Sequence, residues 1–586
     1  MYVLGISCYY HDAAACLIRD GVIVAAAEEE RFTRKKHDSS LPVRAIEYCL
    51  REGGITAAQL DAVGFYEKPL LKFERILQSV LQTFPQSFEV FRKAIPIWFR
   101  DKLWVRASIQ EALRPYKGPV YFIEHHLSHA ASSFLVSPFQ EAAILTFDGV
   151  GEWTTTAYGV GRGNHLELTK EVRYPHSLGL LYSAFTAHLG FEVNEGEYKV
   201  MGLAAYGKPT YYEQVRRLID IRDDGSFQLD MDYFAYHYSL HSLSPKFHEV
   251  FGPSRNPESP MEAHYADMAS SLQKVTEEAM VAGAKYLRRT TGLDYLCMAG
   301  GVALNCVANG HILREAGFKD LWIQPSAGDA GGAVGVAAYI YYAIHDNPRK
   351  DEGFMHNAYL GPGYSEAEIK GFLDAYGIPH ERCDEGELVG RVARMLADDM
   401  VVGWFMGRME FGPRALGARS ILANASNPQM KDILNEKIKH REQFRPFAPA
   451  VLLEETPNWF DLDAAHESPY MLLVADVLLD KREKLPAITH VDGTARLQTV
   501  TAEENGLYYQ VIKEYFRLTG VPVIVNTSFN VRGEPIVCTP AEAYNCFSHT
   551  DMDALVLGPY VVMAESKKMI APYPGSKKPP AAEVIV

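Results

Sequence analysis

The chain has 586 residues and a mass of 65.5 kDa, with 47% apolar and 22% charged residues, which is too long for one hydrophobic core and too apolar for a disordered chain. Its 58 Lys and Arg against 73 Asp and Glu leave a net charge of −15, which argues against a broad electrostatic grip on nucleic acid or an anionic membrane. Any anion site is therefore local. The first residues lack a basic n-region and reach His11 and Asp12 too early for a signal peptide. The longest apolar run, Gly331–Ile344, is too short to span a bilayer. Eight cysteines without a CxxC pair suit reduced thiols. A cytoplasmic protein is expected.

In chain order, Tyr2–Glu30 reads as strand, turn and strand, with Asp20-Gly21 as a hairpin signal between apolar runs. Lys68–Arg114 carries Leu, Phe, Ile and Trp at helical spacing and predicts an inserted helical layer. Ala142–Val160 repeats the opening grammar around Asp148-Gly149, as an internal duplication would. A second insert, about 209–260, is polar, aromatic and irregular, the kind of segment that carries substrate choice. Gly300-Gly301 leads into a helix through Leu313, and Gly328-Asp329 opens another. A boundary near residue 355 is expected, giving domains 1–355 and 356–586. The second part alternates helices (Glu366–Ala375, Glu385–Asp398, Pro428–Lys439) with strands (Val401–Phe405, Ala448–Leu453, Leu472–Ala475, Val521–Asn526), an α/β pattern. After about Lys567 a Pro- and Lys-rich tail is expected to be mobile.

His125 and His129 are four apart, so one helix face would present both imidazoles to one ion. His126 faces elsewhere, although its i,i+3 relation to His129 leaves the first ligand open between His125 and His126. Asp148 and Asp329 each end a strand-like run before a glycine turn, which aims a carboxylate into a cleft. Mixed His and carboxylate donors suit iron, manganese or zinc. The glycines at 300–301 and 328–332 allow close approach of backbone to a phosphate. From Arg408 to Arg445 eight basic residues face four acidic ones, a basic patch in an acidic protein. Arg414, Arg419 and Arg445 sit among Gly, Pro, Phe and Leu, where a guanidinium calls for a buried anion. Asn526–Asn530 adds hydroxyl and amide donors after a buried strand. His11 and Asp12 form a candidate acid/base pair, with Asp12 orienting the ring, and Lys36 lies at a cleft rim or in solvent.

His11-Asp12, Glu28-Glu29-Glu30-Arg31-Phe32, His125xxxHis129, Phe147–Glu152, Lys199–Ala204, Gly300–Asn305, Gly412–Gly417 and Phe444–Phe447 together resemble the antibiotic- and nodulation-type O-carbamoyltransferases, along nearly the whole chain. The resemblance implies an α/β protein with two parts. The first is a duplicated actin-like (ASKHA) domain, similar to the transferase that places threonylcarbamoyl on tRNA. The second is a threonylcarbamoyl-adenylate synthase-like (YrdC-like) domain. It implies carbamoyl-adenylate formation from carbamoyl phosphate and ATP, with Mg, on Arg414, Lys439, Arg445, Arg496 and Ser528. Transfer to a small-molecule hydroxyl would follow at a metal, Fe(II) foremost with Mn or Zn as alternatives, on His125, His129, Asp148 and Asp329. Gly149, Gly300, Gly301 and Asn305 would contact nucleotide, and His11, Asp12 and Lys36 would be catalytic, His11 as general base. No nucleic-acid or membrane partner is implied; acceptor and oligomeric state stay open. A tRNA-modifying enzyme and a non-catalytic actin- or chaperone-class nucleotide-binding module are the rival readings.

Overall fold

In the computed structural model, which describes residues 1–568 apart from 258 and 464, three antiparallel strands open the chain: Tyr2–Ser7, Ala14–Arg19 and Val22–Glu28. Asp20 and Gly21 both take positive φ (52° and 93°), as a type I′ hairpin demands. Two parallel strands, Ala62–Phe65 and Val120–Phe122, extend the sheet from the first strand. A second sheet repeats this plan with Glu141–Phe147, Thr154–Arg162 and His165–Arg173 antiparallel, then Tyr295–Ala299 and Asp320–Ile323 parallel. Strand order and direction of pairing agree in the two sheets. This duplicated α/β plan is the actin-like (ASKHA) fold.

The helix Asp329–Tyr339 packs on both the first sheet and the helix His125–Phe134. Its approach is so close that a Cβ on Gly5 would strike the Ala333 carbonyl and one on Gly335 the Ser128 carbonyl. Gly331 and Gly332, read above as phosphate-approach glycines, are likewise packed, against the Ser326 carbonyl and the Tyr66 ring. The first insert holds the helices Pro69–Thr83, Phe88–Arg100 and Val105–Ala112. A 29-residue helix, Ala263–Thr291, closed by Gly292 at φ 68°, was not anticipated.

The second unit is a nine-stranded mixed sheet with helices. Two of its expected helices, observed as Glu366–Ala375 and Glu385–Ala397, start at capping boxes on Ser365 and Asp384. Strands Arg419–Asn424 and Thr494–Val500 and helices Ala502–Thr519 and Pro540–Ser548 add to the elements read from sequence. The expected helix Pro428–Lys439 is one turn, Met430–Ile433, running into a π-helical stretch, Leu434–Lys439.

Residues 1–29 and 37–355 form one unit, while 30–36 join 356 onward in the other. The short segment belongs there because Arg31 donates to the Gly412 carbonyl (2.8 Å), Arg34 donates to the Pro535 and Ile536 carbonyls (2.7 Å each), and Phe32 packs on Met409, Ile536 and Cys538. Lys36 goes with it. All eight cysteines are buried and unbridged. Among the described residues no helix is long and apolar enough to cross a membrane, and the expected mobile tail lies outside them beyond Lys568.

Candidate active site

Glu152 starts the helix His125–Phe134, its two oxygens accepting from the His125 amide at 3.2 and 3.1 Å. One turn on, His129 stacks edge-to-face on His125, and the two Nε2 atoms stand 3.1 Å apart. Asp148, just past the strand Glu141–Phe147, puts Oδ2 3.0 Å from His125 Nε2 and 3.9 Å from His129 Nε2. Asp329, the first residue of its helix, puts Oδ1 at 3.6 and 3.7 Å from the same two nitrogens. The other oxygen of each carboxylate is held by protein: the Gly301 amide donates to Asp148 Oδ1 (2.9 Å) and the Tyr66 hydroxyl to Asp329 Oδ2 (3.1 Å).

This arrangement suits a cation. Four ligands about 2.0–2.1 Å from one ion stand about 3.0–3.4 Å from one another, close to the spacings here. All four side chains are buried, their ligand atoms lie within 4.8 Å of one another, and Asp329 Oδ1 has no hydrogen-bond partner among the described residues. Burial opposes the charge on Asp148, but His125 and His129 hold it well below the usual carboxylate range. His126 is outside the cluster, its Nδ1 2.7 Å from the Thr146 hydroxyl. Tyr66 and Glu152, which orient a ligand and the ligand helix, were missed in the sequence, although Glu152 closes the Phe147–Glu152 motif.

His11 and Asp12 lie in the turn after the first strand, where Tyr9 and Asp12 take positive φ (75° and 50°), a conformation non-glycine residues rarely adopt outside constrained turns. Asp12 bridges two imidazoles, with Oδ2 2.9 Å from His11 Nδ1 and Oδ1 2.7 Å from His37 Nδ1. The second partner, His37, has no local signal in the sequence. Burial disfavours the His11 imidazolium, yet Asp329 and Asp12 outweigh it and raise the ring to about 10. His11 therefore shares the electrostatic field of the four-residue cluster, and a base role requires the carboxylate charges there to be offset.

The nucleotide candidates divide. Gly149 has open space where a Cβ would be. Gly300, at φ 93°, presses on the Phe147 backbone, and the Gly301 amide is used by Asp148. Asn305 caps the helix Cys306–Glu315 through the Ala308 amide (3.1 Å) and exchanges two 3.0 Å amide hydrogen bonds with Gln273.

In the second unit Lys439 and Ser528 meet. Buried Lys439 donates to the Ser528 carbonyl and hydroxyl and, at 2.9 and 3.0 Å, to the Asn530 carbonyl and side chain. Burial pushes its ammonium well below the usual range, and Arg441 adds to this. The loop carrying Arg414 is wrapped on Glu410, which accepts from the Leu416, Ala418 and Arg419 amides. It is tied to the sheet by Gln498 donating to the Leu416 carbonyl (2.7 Å) and Asn526 to the Ala415 carbonyl (3.2 Å). Arg496 and Ser528 each lie two residues along a strand from those anchors and so share their sheet face. Arg445 stands 3.8 Å from Glu442.

Arg419 corrects the expectation of a buried anion. Fully buried, it donates to the Met406, Ala418, Pro362 and Gly407 carbonyls at 2.9–3.1 Å and lies 3.7 Å over the Phe405 ring. Arg419→Met is expected to lower the stability of the protein by about 3 kcal/mol or more, because it orphans several buried carbonyls. Denaturant unfolding of the intact protein checks this, and an unchanged midpoint would return Arg419 to ligand binding.

Fold and site define an actin-like protein with a buried His₂Asp₂ cluster in its duplicated unit. Residues 2–338 match the carbamoyltransferase N-terminus family and residues 393–564 the carbamoyltransferase C-terminus family. The chain belongs to the carbamoyltransferase family and is a transferase. It is 49% identical to an uncharacterized protein of Synechocystis sp., over 96% of each chain. It is 38% identical to nodulation protein NolNO of Sinorhizobium fredii (94% of this chain, 79% of that one) and 29% identical to nodulation protein U of the same organism (91% and 94%). A ROK hexokinase from Thermus thermophilus aligns with 59% of this chain and 100% of its own at 16% identity and a TM-score of 0.29; that likeness is too slight to bear on the fold, which rests on the strand order.

Proposed function

We propose that the protein is an ATP-dependent O-carbamoyltransferase acting on a hydroxyl of a small-molecule natural product. In this reading the second unit, threonylcarbamoyl-adenylate synthase-like, makes carbamoyl-adenylate from carbamoyl phosphate and ATP, with Mg. Water cleaves the carbamoyl–phosphate bond, phosphate leaves, and the carbamate oxygen displaces pyrophosphate from the α-phosphorus. Arg414, Lys439, Arg445, Arg496 and Ser528 supply cationic and hydroxyl donors for these polyanions.

The first unit then uses carbamoyl-adenylate as donor. The observation that carries this is the buried His125, His129, Asp148 and Asp329 cluster, whose ligand atoms lie within 4.8 Å of one another, with the Asp12-bound His11 in the same unit. Asp12 holds His11 Nδ1, which leaves Nε2 to take the acceptor proton as the hydroxyl oxygen bonds to the carbamoyl carbon and AMP departs with the electron pair of the broken C–O bond. His125, His129, Asp148 and Asp329 would hold a divalent ion, Fe(II) foremost, which would supply Lewis-acid polarisation and counter-charge. Gly149, beside Asp148 and open at its Cβ position, leaves space for nucleotide backbone contact.

The test combines the protein, ATP, carbamoyl phosphate and candidate alcohols, with a mass-spectrometric search for a carbamoyl increment. Arg414→Ala and Arg445→Ala are each expected to abolish carbamoyl phosphate-dependent pyrophosphate release, a loss of about 2–5 kcal/mol. Wild-type release from both would remove adenylate formation from this unit, and carbamoylation of tRNA rather than any free alcohol would select the tRNA-modifying alternative.

A further inference from the structure

We propose that Arg75 reads the acceptor, and that the acceptor carries an anionic group, a carboxylate or a phosphate, besides its reacting hydroxyl. This rests on the transfer reading for the first unit.

The helix Pro69–Thr83 buries Pro69, Lys72, Arg75 and Val80, so two of the four side chains it turns inward are cations, one turn apart. They are satisfied differently. Lys72 pairs with Glu67 at 2.5 Å and lies 4.9 Å over the Tyr10 ring. Arg75, only 7% exposed, has its guanidinium 4.9 Å over the Tyr174 ring, and its Nη1 is buried with no hydrogen-bond partner among the described residues. Other buried guanidiniums turn their forks onto backbone: Arg419 reaches four carbonyls through Nη1 and Nη2, and Arg255 reaches those of Leu189, Pro257 and Ser259.

The carboxylates that act on Arg75 are engaged with other groups. Glu67 holds Lys72, and Glu152 accepts from the Lys68 and His125 amides. Lys102 adds positive charge on the same side, burial and the Lys72 charge pushing it down to about 8. Lys72, one turn from Arg75 on the same buried face of the helix, lies over the Tyr10 ring, whose centroid is 4.7 Å from that of His11, and the charges of Arg75, Asp329 and Asp148 all act on Tyr10. Arg75 thus lies on the His11 side of the cluster. A buried guanidinium whose Nη1 has no acceptor among the described residues matches a planar carboxylate or a phosphate face, and an acceptor held there is presented to His11.

The experiment uses the full chain and four probes: glucose, glucuronate, glucose 6-phosphate and inorganic phosphate. Calorimetric binding, without ATP or carbamoyl phosphate, is expected to favour the charged sugars over glucose by about 10- to 100-fold. Arg75→Gln should erase the preference, Arg75→Lys should restore part of it, and His129→Ala should keep it, which separates the site from the cluster. Glucuronate against glucose 6-phosphate decides between carboxylate and phosphate. A preference surviving in Arg75→Gln, or no Arg75-dependent binding of any anionic probe, overturns the proposal. Transfer assays with the same sugars keep the two readings apart. Arg75-dependent anion binding without carbamoylation of any alcohol would fail the transfer reading alone, whereas equal carbamoylation of glucose and the charged sugars would fail the Arg75 inference alone.

Discussion

His129→Ala is expected to abolish binding of the divalent ion proposed above and to slow carbamoyl transfer to a hydroxyl by about 10³-fold or more, while carbamoyl phosphate-dependent pyrophosphate release continues. His129 provides one of the two nitrogens that face each other at 3.1 Å, with Asp148 and Asp329 completing the set. Without it, two buried carboxylates share a single imidazole, so the set loses one nitrogen donor and positive charge that offsets the carboxylates. The size of the effect follows from losing several kcal/mol of charge stabilisation at the reacting carbonyl, each 1.36 kcal/mol being tenfold in rate. Pyrophosphate release is assigned to the other unit and so serves as the internal control. Metal analysis with both assays checks the outcome, and full metal occupancy in the variant removes His129 from the site.

What the sequence disclosed about this site was local geometry. His125 and His129 could be paired because helical spacing alone places i and i+4 side by side. Asp148 and Asp329 could be added because a carboxylate after a strand or at the start of a helix has few directions to point. The duplication was readable because the turns at His11-Asp12 and Asp148-Gly149 each carry an aspartate between two apolar strands. Contacts between distant segments left no such trace. Tyr66 reaches Asp329 across 263 positions, and His37 reaches Asp12 across 25. Arg419 shows why residue type was not enough: a guanidinium among apolar residues calls for acceptors, and backbone carbonyls brought in from residues 362–418 serve as well as an anion. The same ambiguity affects glycine, which permits close approach of a phosphate or of a helix, and Gly331, Gly332 and Gly335 are spent on the latter. Glu28–Lys35 is a charged run inside the expected first domain, 1–355, whereas Arg31 and Arg34 find their carbonyls more than 380 positions away.

His11→Asn is expected to bind the divalent ion, to support carbamoyl-adenylate formation and to lower acceptor carbamoylation by about 10²-fold or more, within the usual span of general-base effects. Asparagine can still donate a hydrogen bond to Asp12, so the turn and the Asp12–His37 contact survive, but it cannot accept a proton near neutral pH. A pH profile separates this role from a structural one. Asp329 and Asp12 favour the imidazolium against burial, and with the Asp329 charge offset by an ion, Asp12 is left as the main charge that holds the proton. As a base it works only when deprotonated, so transfer rises with pH towards its pKa. Asp12→Asn withdraws one of the charges that hold the proton, and the rising limb is expected to move to lower pH. If His11 merely packs the turn, neither change moves the profile, and a folded His11→Asn protein transfers carbamoyl within a few-fold of wild type. That result would reject the base and leave the activation of the hydroxyl to the His125, His129, Asp148 and Asp329 cluster.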